Sequence, residues 1–68
     1  MTHAAQLMAA WDRFGVPVDA GSTELFKSIL DSLAFARIAH SGGTIDYTLE
    51  DDSRIVFDPN SEKRFRIE

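Results

Sequence analysis

No cysteine occurs among the 68 residues, and that absence removes a disulfide framework, a zinc–thiolate site, an iron–sulfur cluster and a thiol nucleophile. Bases are scarce as well. Seven Lys and Arg stand against eleven Asp and Glu, a formal net charge of −4, whereas binding to a phosphate backbone rests on clustered bases that release counterions. Nucleic acid is therefore not the expected main partner. No apolar run approaches the roughly 20 residues that span a bilayer, and the start MTHAAQLMAAWDRFG has neither the basic beginning nor the apolar centre of a secretory signal. Neither export nor insertion is expected, and the cytoplasm is the default compartment. Internal repeats, low-complexity segments and linkers are also missing, so residues 1–68 read as a single small domain.

The hydrophobic fraction of 44% is that of an ordinary globule rather than a disordered chain. At this length a single core is near the lower limit of what offsets chain entropy, so stability should be modest. Ala4, Leu7, Met8, Trp11 and Phe14 recur every three or four residues and place one apolar stripe on a first helix. Thr2 can cap its start and Gly15 can end it, and Val16-Pro17-Val18 reads as an extended connector. Asp19, Ser22 and Thr23 offer cap oxygens for a second helix, whose stripe is Leu25, Phe26, Ile29, Leu30 and Leu33. Beyond Leu33 the phase changes. The run AFARIAH is either a helical end apolar on two faces or a first strand, with Arg37 opposite Asp46 and Ile38 opposite Ile45. Three alanines and the lack of a connector favour helix to about His40, with Gly42 as terminator.

From Thr44 the period is two, as expected of an antiparallel meander with one buried face. Tyr47 opposite Phe57 and Leu49 opposite Ile55 would make Glu50 the neighbour of Arg54 and leave Asp51-Asp52-Ser53 as a loop. Phe57 opposite Phe65 and Ile55 opposite Ile67 would set Asp58 beside Arg64 and Arg54 beside Glu68, with Tyr47, Phe57 and Phe65 in one buried row. The expected fold is α+β, two N-terminal helices on one face of a three-stranded antiparallel meander.

Chemistry is thin. The Glu50-Asp51-Asp52-Ser53 cluster lacks the alternating ligands, glycine and distal glutamate of a calcium loop. His3 falls in a first turn and His40 near a helix end, neither with a partner that spacing identifies. Ser41-Gly42-Gly43 would follow a helix, where the dipole has the wrong sign for phosphate. In KRFR, residues 63–66, alternation buries Phe65 and leaves the bases on a solvated strand face. Trp11 shares its stripe with Met8 and Phe14 and reads as core.

No catalytic residue, metal ligand or cofactor is expected, and the function that remains is non-enzymatic: binding of another protein or of a second copy of the chain. Its expected contact residues are Phe35 and Ile38, on a second helical face, and Val56, on the polar face of the sheet, because they exceed what a two-layer core requires. The alternative is a nucleic-acid-associated regulator of winged helix-turn-helix type, against which the second helix sets Glu24, Lys27, Asp31 and Ser32 at its polar positions. For the core, Leu30→Ala or Phe57→Ala should cost roughly 2–5 kcal/mol, comparable to the whole stability of so small a domain. A chemical denaturation curve that does not move would show that the stripes are misread.

Overall fold

The computed structural model describes residues 1–14 and 19–68. Helix α1, His3–Trp11, runs into a 3₁₀ turn at Asp12–Phe14, and helix α2 spans Ala20–Ala34. The strands β1, Ile38–Ser41; β2, Thr44–Thr48; β3, Arg54–Phe57; and β4, Phe65–Ile67, form one antiparallel sheet in chain order. The class is the expected α+β, with a fourth strand that the sequence pattern assigned to a helix. Gly15 and Val16-Pro17-Val18 lie outside the described residues.

Both helices start as their side chains dictate. The Thr2 hydroxyl accepts from the Ala5 N–H at 3.1 Å, and the Asp19 carboxylate accepts from the Ser22 N–H at 2.6 Å, satisfying donors that a first turn leaves open. The second helix stops six residues before His40. Phe35 takes a left-handed φ of 52°, its N–H still reaches the Asp31 carbonyl, and the Arg37 N–H returns to that of Ala34. Helix propensity in the alanine run loses here to a ladder. Gly42 and Gly43, at φ 57° and 89°, give the two-residue turn that matches strand twist, and β1 then pairs Ile38 with Tyr47 and Ala39 with Asp46. Ile38 is thereby moved from a helix surface to the inner face of the sheet.

The β3–β4 register is as expected, Phe57 opposite Phe65 and Ile55 opposite Ile67. Between β2 and β3 it differs by two residues: Tyr47 faces Ile55, Ile45 faces Phe57 and Thr48 faces Arg54. A slip of two keeps every side chain on its own face, so alternation could not detect it. The inner rows are therefore Ile38–Tyr47–Ile55–Ile67 and His40–Ile45–Phe57–Phe65, not one row of Tyr47, Phe57 and Phe65. The outer pairs change accordingly. Arg54 holds Asp46 in place of Glu50, at 2.5 Å, and Arg66 rather than Arg64 holds Asp58, at 3.0 Å. Arg64 has a φ of 72°, which turns its side chain out of the row and onto the Pro59 carbonyl.

The core lies between the helices and the inner sheet face. Trp11 stacks on Phe26 at a centroid distance of 4.8 Å, and Phe65 meets both edge-on. The Trp11 indole N–H donates to the Lys63 carbonyl at 2.7 Å, so the ring's polar end is satisfied inside. Tyr47, Leu49, Leu30 and Ile55 are fully buried around it. Burial and the neighbouring Asp31 carboxylate push the Tyr47 hydroxyl up to about 12. Leu30 is completely buried, whereas Phe57 is half-buried beneath the Lys27 ammonium, 4.6 Å from its ring centre. Of the two core truncations Leu30→Ala should thus be the more damaging, toward the upper end of the 2–5 kcal/mol range for Leu→Ala. Urea midpoints measured side by side would reverse that order if the helix sat in another rotation.

Candidate functional site: the groove between the helices

The expected stripe of α2 is wider than the surface it packs on. Phe26, Leu30 and Ala34 are buried, together with Thr23, whose hydroxyl donates to the Asp19 carbonyl. Leu25, Ile29 and Leu33, on the adjacent strip, are 59%, 40% and 38% exposed. Spaced four residues apart, they form a ridge along the helix. Beside this ridge runs a groove of about 220 Å³, with Leu7 and Ala10 of α1 as one wall, Leu25 and Ile29 of α2 as the other, and Trp11 and Phe26 as its floor. Ser22 closes one end. It arises because α1 packs on β4 and α2 on β2, so the helices meet through the Trp11–Phe26 stack and stay apart above it.

Charge is kept off this surface. Among the charged residues within α2, Lys27 lies 3.8 Å from Glu24 and over the Phe57 ring, and Asp31 lies near enough to the Tyr47 hydroxyl to raise its pKa; all three sit on the flank toward the sheet. The groove walls and the ridge carry none.

The three expected contact residues are separated. Phe35, at the end of α2, is 82% exposed. Ile38 is half-buried and packed against the core from β1. Val56 is 4% exposed: its cross-strand neighbours are Asp46 and Arg66, and the Arg54–Asp46 and Arg66–Asp58 pairs flank it, so the stems of charged side chains cover it. Neither Ile38 nor Val56 projects as a helical-end or bare-sheet residue would. The ridge is what sequence reasoning missed. The five large residues span about 140° of the helix, the width of an ordinary core-facing stripe, so the pattern alone did not show that only its Phe26–Leu30 side would be buried.

The acidic stretch has a different role. Asp51 accepts from the His3 N–H at 2.8 Å, the Ser53 hydroxyl accepts from the Ala4 N–H at 3.0 Å, and Glu50 lies 2.6 Å from the His3 ring. The β2–β3 loop thus caps α1 from 47 or more residues away, where a carboxylate also meets the positive end of the dipole. Asp52, at φ 69°, holds Arg37 at 2.7 Å. His40, expected at a helix end, is exposed on β1. No group of three potential metal ligands occurs among the described residues.

The His3 N–H, followed by the Ser53 hydroxyl, lowers the Asp51 carboxyl to about 2 from an ordinary 3.8. A group whose folded value is depressed contributes fully above its unfolded value and loses that contribution as protons bind the folded form. The melting temperature should therefore fall as pH drops from about 4 toward 2. Asp51→Asn should melt lower at neutral pH and lose part of that slope; equal slopes for variant and wild type would remove Asp51 from the cap. Comparison with protein-family models, curated proteins and solved structures finds no match, so the functional reading rests on the groove, its ridge and Phe35.

Proposed function

We propose that this chain is a small non-enzymatic domain that binds another protein through its helical face. The observation that carries the reading is the uncharged ridge of Leu25, Ile29 and Leu33 beside a groove floored by Trp11 and Phe26. Contiguous apolar surface of this kind marks an interaction site more often than a chance exposure, and a helix-lined groove with aromatic floor is the setting in which apolar anchors bind. Phe35 adds independent support. A bulky residue at φ 52° and ψ −112° sits in a sparsely populated region at a cost on the order of 1–3 kcal/mol, and an aromatic kept there while 82% exposed gains nothing in the chain's own core. Strain retained at a surface position points to use.

The winged-helix alternative finds less support, since Lys27, the one base within α2, is engaged with Glu24 and the Phe57 ring. Retention on DNA or RNA at low salt, weakening as salt rises, would favour that alternative instead.

Phe35→Gly separates stability from binding. Relief of the left-handed backbone and the added freedom of glycine in the unfolded chain oppose each other, so the variant should melt at or up to about 1 kcal/mol above wild type while its partner affinity drops. Capture from the cells that make the protein, run in parallel with wild type, Phe35→Gly and Leu25→Glu, measures the second half. A protein retained by wild type and lost on the folded variants is expected; identical retention on all three would refute the reading.

A further inference from the structure

One base in the β3–β4 turn departs from the pairing of its neighbours. Arg37 holds Asp52, Arg54 holds Asp46, Lys63 holds Asp12 and Arg66 holds Asp58. Arg64 pairs with no acid among the described residues: its guanidinium donates through Nη1 to the Pro59 carbonyl, which leaves the Nη2–Nε edge of the fork open. The turn keeps it so. The Asp58 N–H donates to the Arg64 carbonyl at 2.6 Å, and the Arg64 N–H to the Ser61 carbonyl at 3.3 Å, and between them the backbone is held at φ 72°. With an extended backbone Arg64 would stand beside Asp58 and could take the ion pair that Arg66 makes. A non-glycine residue kept at positive φ by its surroundings is strain of the kind that gathers at ligand sites.

The side chain released in this way lines a cavity. Between the start of α2 and the β3–β4 turn lies a space of about 220 Å³, bordered by Ala20, Thr23 and Glu24 of α2, the half-buried ring of Phe57, and Pro59 and Arg64 of the turn. It shares no residue with the groove between the helices, so what it holds is independent of the protein-binding reading.

We propose that this cavity binds a small monocarboxylate with a flat apolar body, the carboxylate on the Arg64 guanidinium and the body against Phe57.

The charges around the cavity favour one negative group. Glu24 is offset by the Lys27 ammonium at 3.8 Å, which also stands 4.6 Å from the centre of the Phe57 ring. Asp58 is held by Arg66, Asp19 is engaged in capping the Ser22 N–H, and Glu62, exposed in the same turn, does not border the space. Arg64 is therefore the uncompensated charge there, in a chain of net charge −4. Its open edge matches a planar carboxylate through two parallel hydrogen bonds. A dianion such as phosphate fits less well, because it meets the Glu24 carboxylate with twice the charge and finds a single fork to offset it. The Thr23 hydroxyl is spent on the Asp19 carbonyl, so recognition of the polar end rests on Arg64. The remaining lining, Ala20, Phe57 and Pro59, is apolar. An apolar cavity of about 150 Å³ already admits benzene, so this volume takes one ring and its carboxylate.

Phenylacetate is the probe, titrated at low salt into isotope-labelled protein and followed by amide chemical shifts. Ala20, Thr23, Phe57 and Arg64 should move together along one saturating curve. Phenylacetamide, the same shape without the charge, should bind at least about 10-fold more weakly. Arg64→Gly removes the guanidinium and suits a positive φ, so it should fold and lose affinity by about 10- to 100-fold, the scale of a charge-assisted hydrogen bond. Arg64→Lys, which keeps the charge without the fork, should fall between the two, and Glu24→Gln should bind more tightly. N-acetylphenylalanine separates two sources of the same chemistry: tighter binding than phenylacetate supports the C-terminal carboxylate of a peptide, weaker binding a free acid. A wild type whose four amides do not move at millimolar phenylacetate overturns the proposal. So do equal binding of the amide, undiminished binding by folded Arg64→Gly, and shifts confined to Leu7, Ala10 and Ile29, which would place the ring in the groove between the helices instead.

Discussion

Three rings, Trp11 from α1, Phe26 from α2 and Phe65 from β4, meet with centroids 4.7 to 4.9 Å apart, and they are the point at which the two helices and the end of the chain are tied together. The indole N–H on the Lys63 carbonyl fixes the orientation of the largest ring, and Phe65 meets both stacked rings edge-on, an arrangement that aromatic quadrupoles favour. Because the helices touch through these rings, with α1 resting on β4 and α2 on β2, their upper surfaces cannot close over one another. The groove follows from how the core is closed. Its floor is the same Trp11–Phe26 stack that holds the molecule together.

What local pattern governs was legible: the caps at Thr2 and Asp19, the parity of every strand from Thr44 onward, the β3–β4 register and the burial of Trp11 and Phe65. What long-range contact governs was not. Alternation fixes which face a strand residue occupies but leaves a slip of two residues undecided. The decision was made by the loop, in which the Leu49 N–H bonds the Ser53 carbonyl, Leu49 enters the core and Asp51 and Ser53 turn to the start of α1. Nothing near Asp51 in the sequence indicates that the donors it serves belong to His3 and Ala4. The acidic cluster looked like chemistry because its partners were almost fifty residues away.

The other misreading, helix for strand at Ile38–Ser41, has a related cause. Alanines at 34, 36 and 39 suit a helix, but the run ends in two glycines whose positive φ values build a hairpin with Thr44–Thr48. Once that hairpin forms, Ile38 gains Tyr47 and the inner row as neighbours, burial that a continued helix could not offer. Sheet pairing outweighs a propensity difference of a few tenths of a kcal/mol per residue. The consequence falls on Phe35, which must reverse the chain within three residues and takes a backbone conformation that its side chain disfavours.

The two layers treat stray apolar residues in opposite ways, and the contrast bears on function. Val56 sits on the solvent side of the sheet, yet it is covered because Arg54–Asp46 and Arg66–Asp58 are anchored around it and their stems lie across the pleat. Long charged side chains placed between Leu25, Ile29 and Leu33 could have screened the ridge by the same device. The positions that flank it hold Ser22, Ser28 and Ser32 instead, too short to cover an aliphatic neighbour and too weakly solvated to resist being covered. Serine at such positions lets another surface come close, at a smaller desolvation penalty than any charged residue would impose. One valine is thus shielded by two ion pairs, whereas three larger residues stay 38% to 59% exposed with only serines beside them.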